Sequence, residues 1–234
     1  RDRSAWISPL LFHPKGSRAA REWKRMDWSR TIDAYCERTD TSFWSEPLNA
    51  VTNLAFLIAA LVSWGRIRRE RLPLAGVLCA LLALIGIGSF LFHTFATRWA
   101  ALADTVPILA FILVYLFAAN LHFLRLRWPL ALIGVASFLP CAALVTPFLA
   151  EVPLLGRSAA YLPVPLLILF YALLMSSRAP GTAGGLVLGA GLLLLSLTAR
   201  SADGLVCARL PMGLHPLWHV LNALMLGWMI EVYR

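Results

Sequence analysis

Charge is what this sequence has least of. Asp, Glu, Lys and Arg make up 14% of the 234 residues, hydrophobic residues make up 59%, and the mean hydropathy is +0.72. An ordinary soluble domain carries about a quarter charged residues, so this composition excludes one and implies a multi-pass membrane protein built from transmembrane helices. Acid is scarcer than base, 12 Asp and Glu against 21 Lys and Arg, giving a pI near 10.1. A pI of that kind suggests nucleic acid, but the excess is concentrated in residues 1–32. There Arg1, Arg3, Lys15, Arg18, Arg21, Lys24, Arg25 and Arg30 stand against Asp2, Glu22 and Asp27, 8 − 3 = +5 of the total +9. No nucleic-acid partner is expected. This basic tail has no amphipathic period long enough to separate a strip on anionic lipid from a solvated or disordered segment, and the second reading is preferred. No methionine precedes Met26, which leaves open whether residues 1–25 belong to the folded unit. A charged n-region, apolar h-region and small-residue cleavage site do not occur in order, so no cleaved signal peptide is expected. There is no internal repeat and no EF-hand spacing.

Apolar runs long enough to cross a bilayer, about 20 residues each, fall at roughly 47–64, 73–93, 104–124, 129–149, 159–176, 183–200 and 213–232. The fold class expected is therefore all-α, a bundle of seven transmembrane helices occupying residues 33–234 after the tail. Pro140, Pro147, Pro163 and Pro165 are expected to kink the fourth and fifth spans. Gly181, Gly184, Gly185, Gly189 and Gly191 suggest close helix packing in the sixth. The loop and terminal basic residues Arg66, Arg68, Arg69, Arg71, Arg125, Arg127, Arg178 and Arg234 slightly outnumber those on the opposite face. That bias favours a cytoplasmic C-terminus with the N-terminus outside; counting the whole basic tail reverses it.

Polar residues inside the apolar runs are few and therefore informative. Ser89 and His93 are four apart near the end of the second span, on one helical face, and Asp104 follows at the start of the third. His215 and His219 repeat the spacing at the start of the seventh. With seven spans, Glu46, His93, Asp104 and His215 all lie at the same membrane face whichever way the chain inserts. A catalytic zinc takes three protein ligands and keeps a fourth position open, and His93, His215 and His219 are the candidates. Asp104 is placed to carry a proton between a water and a leaving group, or to orient a histidine from behind. Ser89 is placed to stabilise an oxyanion. His13 and His122 lie on the wrong segment and the wrong face.

The stretch from Asp33 to Glu46 reverses the tail's charge. Clustered carboxylates suit Ca²⁺, but a solvated loop, or Ser45 and Glu46 as helix-start signals ahead of Pro47, explains them as well.

Taken together, Asp33-x-Tyr-Cys-Glu-Arg38, Glu46-Pro-Leu-Asn-Ala-Val-Thr-Asn53, Gly86-Ile-Gly-Ser-Phe-Leu-Phe-His93 with Asp104, and His215-Pro-Leu-Trp-His219 followed by Asn222 resemble the alkaline ceramidases. The likeness is to the bacterial-type branch of the seven-span hydrolase superfamily that includes adiponectin-type receptors. The resemblance implies a zinc-dependent amidase splitting a ceramide-like membrane lipid into a sphingoid base and a fatty acid. Its zinc ligands correspond to His93, His215 and His219, and its polar partners to Ser89 and Asp104. It also implies a calcium site drawing on Asp33, Glu37 and Glu46, with backbone oxygens near Tyr35 and Thr39. Ala34 separates Asp33 from Tyr35-Cys36-Glu37, where the eukaryotic pattern has none. Cys36 and Cys207 fall in loops on the same face, either as a disulfide or as two free thiols. The competing reading is a seven-span lipid receptor or sensor with a structural zinc and no turnover. A transporter fits poorly, since no pair of interrupted helices occurs in corresponding halves.

Overall fold

The computed structural model describes residues 27–234. The basic tail up to Met26, with His13, lies outside the described residues. Within them the chain is helical: α1 (Pro47–Thr52), α2 (Leu54–Ile67), α3 (Pro73–Phe95), α4 (Arg98–His122), α5 (Trp128–Leu149), a 3₁₀ turn at Gly156–Ser158, α6 (Pro163–Met175), α7 (Pro180–Val206) and α8 (His215–Tyr233). No strand occurs among the described residues; one isolated antiparallel bridge joins Thr31 to Thr97. Asn53 keeps helical dihedrals between α1 and α2, so the two run as one segment of 21 residues.

Proline within the first two positions opens α1, α3, α5, α6, α7 and α8. At those positions its missing N–H costs nothing, because the first turn has no intrahelical acceptor to use. Pro163 and Pro165 therefore begin α6; the kinks expected of them do not arise, whereas Pro140 and Pro147 do lie inside α5. Ala96 closes α3 in the left-handed conformation, φ 46°, the usual geometry of a helix stop. Thr97 is extended, and α4 then starts at Arg98. Asp104 consequently sits almost two turns inside α4, where a helix-start position was expected.

The helices form a ring. α2 packs on α3 and α8, α3 on α4, α4 on α5, α6 on α7 and α7 on α8, with only sparse contact between α5 and α6. Phe56, Leu78, Leu82, Ile85, Leu186, Leu197 and Ile230 fill the interior. Of the glycines expected to pack α7, Gly185 and Gly189 abut Val232 and Met229 of α8, while Gly181, Gly184 and Gly191 face open space.

The outer surface is apolar as well. Leu61 is 69% exposed, Leu144 72% and Phe148 78%, far more greasy surface than a soluble monomer shows. Five helical segments are long and apolar enough to cross a membrane: Pro47–Ile67, α3, α4, α5 and α7. These fit a multi-pass membrane protein. α6 has 13 residues, about 20 Å at 1.5 Å per residue, short of the ~30 Å hydrocarbon core. α8 has 19 residues and carries His215, His219, Asn222 and Glu231.

Candidate metal centre

Most of the buried polar groups gather at one end of the ring. Ser45, Glu46, Asn49, Asn53, Ser89, His93, Asp104, Asp203, His215, His219 and Asn222 are all buried. In the described residues the candidate ligand atoms of His93, His215 and His219 lie within 4.8 Å of one another. Two helices produce this cluster: the last turns of α3 supply His93, and the first turns of α8 supply His215 and His219.

In two of the three rings the outer nitrogen fixes the inner one. His93 Nδ1 is 2.6 Å from Glu46 Oε2, and a carboxylate only accepts, so Nδ1 carries the proton and Nε2 presents its lone pair. His219 Nδ1 is 2.8 Å from Thr52 Oγ1. The Thr52 hydroxyl proton is directed to Leu48 O, 2.7 Å away, so Oγ1 accepts from His219 and Nε2 is again left as a base. His215 has neither nitrogen hydrogen-bonded; its ring is stacked between Tyr35 at 3.5 Å and Trp218 at 5.0 Å. Unpartnered buried ring nitrogens are costly unless something pairs with them. Nε2 of His93, both nitrogens of His215 and Nε2 of His219 are all in that state. Three imidazoles with two of them oriented from behind form a donor set that could hold a metal ion.

Backbone contact brings the polar pair to this cluster. A Cβ on Gly88 would stand 1.9 Å from Ala103 O, so α3 and α4 touch main chain to main chain next to Ser89 and Asp104. The Ser89 hydroxyl lies beside the Asp104 carboxyl, which also senses the His93 ring. Ser89 Oγ and Asp104 Oδ1 make no hydrogen bond of normal geometry.

Several residues that hold the site were not singled out from sequence. Asp203, fully buried near the end of α7, accepts from Leu214 N (2.8 Å) and His215 N (3.0 Å) through Oδ1, and from Cys36 N (3.1 Å) through Oδ2. It thereby caps α8 at the first histidine and holds the N-terminal loop. Gly213 passes so close to it, with φ +67°, that a Cβ would stand 2.0 Å from Asp203 Oδ1. Of the two states expected for Cys36 and Cys207, disulfide or free thiols, the disulfide is the one formed, Cα–Cα 5.2 Å, across the same junction. Tyr35 covers His215, and burial pushes its phenol up to about 12. Arg157 lies over the Tyr35 ring at 5.7 Å and donates to Ala34 O. Arg200 lies over Tyr161 at 5.2 Å and places a positive charge near Tyr35 and Asp104. Nothing in the spacing of Asp203 or Arg200 marks them, and Tyr35 is expected from the sequence only as a backbone oxygen, not as a ring over His215.

The carboxylates of the acidic stretch do not converge. Asp33 is exposed. Glu37 accepts from Leu48 N (2.7 Å) and Asn49 N (2.8 Å), capping α1. Glu46 turns inward to His93. Burial alone would raise the Glu46 carboxyl, but the His93 hydrogen bond and the Arg38 charge outweigh it and hold the group below the usual range. His122 is exposed at the far end of α4.

Comparison with known families settles the kinship. The ceramidase family model matches residues 29–233. The chain belongs to the ceramidase family. Comparison with individually curated proteins gives no match. Family membership implies a hydrolase of amide bonds and a lipid substrate, ceramide hydrolysis being the activity it suggests.

An apolar cavity adjoins the site. Ile108, Phe111, Tyr161, Leu193, Leu197 and Trp218 are among its walls. Trp218 also stacks on His215, so cavity and histidines share one side chain.

Proposed function

We propose that this ceramidase-family chain is a zinc-dependent intramembrane amidase that cleaves ceramide-like lipids into a sphingoid base and a fatty acid. The observation that carries the proposal is the buried three-histidine cluster whose inward nitrogens lack partners. His93, His215 and His219 would hold the zinc in this reading, which when bound would supply Lewis-acid polarisation of a carbonyl and a more acidic water. Glu46 and Thr52 keep His93 and His219 in the ligating tautomer. Asp104 takes the proton of the attacking water and returns it to the leaving amine nitrogen. Ser89 donates to the carbonyl oxygen as negative charge develops there. The acyl chain lies in the apolar cavity beside Trp218, entering from the side where α5 and α6 barely touch.

The reading takes residues 33–234 as one seven-span unit, with α6 and α8 as the two spans that length and polarity make less obvious. It places the histidine face away from the cytoplasm. The Cys36–Cys207 disulfide supports that side, since disulfides persist in oxidising compartments.

Zinc-loaded protein and its Asp104→Asn variant, each incubated with mixed membrane lipids, should differ in the release of fatty acid and sphingoid base while carrying the same zinc, about one per chain. Equal turnover by the variant, or a chain that retains no zinc, refutes the reading. Lipid binding without turnover in the wild type would support a receptor instead.

A further inference from the structure

The N-terminal loop already contains a cation. The Arg38 side chain is 5% exposed and the Glu46 side chain 3% exposed, and Arg38 Nε donates to Glu46 Oε1. The same guanidinium donates through Nη2 to the carbonyl oxygen of His93 at 2.9 Å and through Nη1 to that of Asp40 at 3.1 Å. The other carboxylate oxygen of Glu46 lies against His93 Nδ1 at 2.6 Å and accepts from Asn49 Nδ2 at 3.0 Å. Both oxygens of Glu46 are thus committed to N–H groups. Both oxygens of Glu37 are committed to the amides of α1, and Asp33 is exposed outside the group.

Calcium requires six to eight oxygens at about 2.3–2.6 Å. Glu46 spends three of its roughly four lone-pair sites on N–H donors, and the buried guanidinium in contact with it repels a second positive charge. Arg38 cancels the charge of Glu46, so the buried carboxylate beside His93 has no net charge left for a divalent ion to neutralise. The residues present do not fit the calcium site that the family resemblance implies. Arginine also does something that a spherical ion does not: its planar fork joins Glu46 and the His93 carbonyl in fixed directions.

We propose that Arg38 is the structural cation of this loop, that the loop takes no calcium, and that Arg38 is a positioning residue acting on His93 through Glu46. The calcium part stands on the loop geometry alone. The effect on the metal centre rests on the function proposed above.

The test uses the full chain with its zinc. Equilibrium dialysis against radioactive Ca²⁺, up to about 1 mM, the weak end of protein calcium sites, should give no stoichiometric binding, and thermal unfolding should be the same with and without Ca²⁺. One Ca²⁺ per chain, or a calcium-dependent rise in the unfolding temperature, overturns the proposal whatever the variants do. Arg38→Gln should unfold at lower temperature and bind zinc about 10–100-fold more weakly, the usual cost of losing a group that orients a ligand. Arg38→Lys, which keeps the charge but not the fork, should recover part of the stability. Should Arg38→Gln fail to fold, an Arg38→Lys variant equal to wild type in zinc affinity and unfolding temperature overturns the positioning role. An Arg38→Gln variant that folds and matches wild type in both does so equally. A chain that binds neither zinc nor calcium fails the proposed function and leaves the calcium result in force.

Discussion

Gly88 meets Ala103 where a Cβ would stand only 1.9 Å from the Ala103 carbonyl oxygen. The partner is backbone, so no rotamer change relieves the overlap. Gly88→Ala must push α3 away from α4 and, with it, Ser89 away from Asp104. Overpacking of this kind costs about 1–3 kcal/mol, visible as a lower unfolding temperature in detergent. Ceramide hydrolysis should fall more than zinc content does, because the histidines come from α3 and α8 and not from α4. Wild-type stability in Gly88→Ala would contradict the close approach.

Asp203 is the acceptor for three main-chain N–H groups, those of Cys36, Leu214 and His215. Asp203→Ala strands them, at about 1–3 kcal/mol for each buried group left unpaired. Asp203 touches none of the candidate zinc-binding nitrogens, yet the variant should lose zinc, since the first turn of α8 carries His215. Metal content after dialysis measures this, and full retention of zinc would remove Asp203 from the support of the site.

Much of the site was legible in the sequence because i, i+4 spacing survives any packing arrangement. Ser89 with His93 and His215 with His219 sit a turn apart on their helices, and the order of apolar runs placed Glu46, Asp104 and His215 beside them. Helix ends were less legible. Arg98 falls between the expected spans 73–93 and 104–124, but α4 begins there, because Ala96 in a left-handed conformation and extended Thr97 already make the turn; Asp104 moves inside the helix as a result. The run 159–176 predicts a continuous span kinked at Pro163 and Pro165, whereas these prolines open the helix. The acidic stretch was the least legible part. A carboxylate count contains no information on which oxygen faces which donor, and nothing in the spacing of Arg38 places it between Glu46 and His93. The apolar exterior of Leu61, Leu144 and Phe148 follows directly from composition.

Thr52 tests the tautomer argument. Thr52→Val preserves shape and removes the oxygen that accepts from His219 Nδ1. The ring then loses the partner that keeps its proton outward, and zinc affinity should fall about 10–100-fold with little change in fold. Competition against a chromogenic chelator reads this directly. An unchanged affinity would mean that packing around His219 orients the ring by itself.

The Cys36–Cys207 disulfide joins positions 171 residues apart in sequence and holds the loop carrying Tyr35 over His215. Cys36→Ser should lower stability by about 2–5 kcal/mol, the usual cost of removing a native disulfide. Because Asp203 still accepts from the amide at position 36, the loop remains partly attached, and zinc should be retained better than in Asp203→Ala. The comparison of metal content between these two variants separates the covalent tether from the hydrogen-bonded one.

The cavity beside Trp218 makes the last prediction, and it concerns chain length. Leu193 is a buried wall residue on α7 and is none of the groups proposed to touch the amide. Leu193→Phe fills part of the space with a rigid ring and leaves the histidines, Ser89 and Asp104 in place. If the acyl chain occupies this cavity, hydrolysis of long-chain ceramide should drop while that of a short-chain analogue is nearly unchanged. A hydrophobic pocket discriminates by about 1–3 kcal/mol for each methylene it can no longer hold, or roughly 10–200-fold. The measurement is the ratio of kcat/KM for the two substrates in wild type and variant. An equal loss for both would show that the ring disturbs the histidine end through Trp218, and an equal rate for both would place the acyl chain elsewhere in the ring of helices.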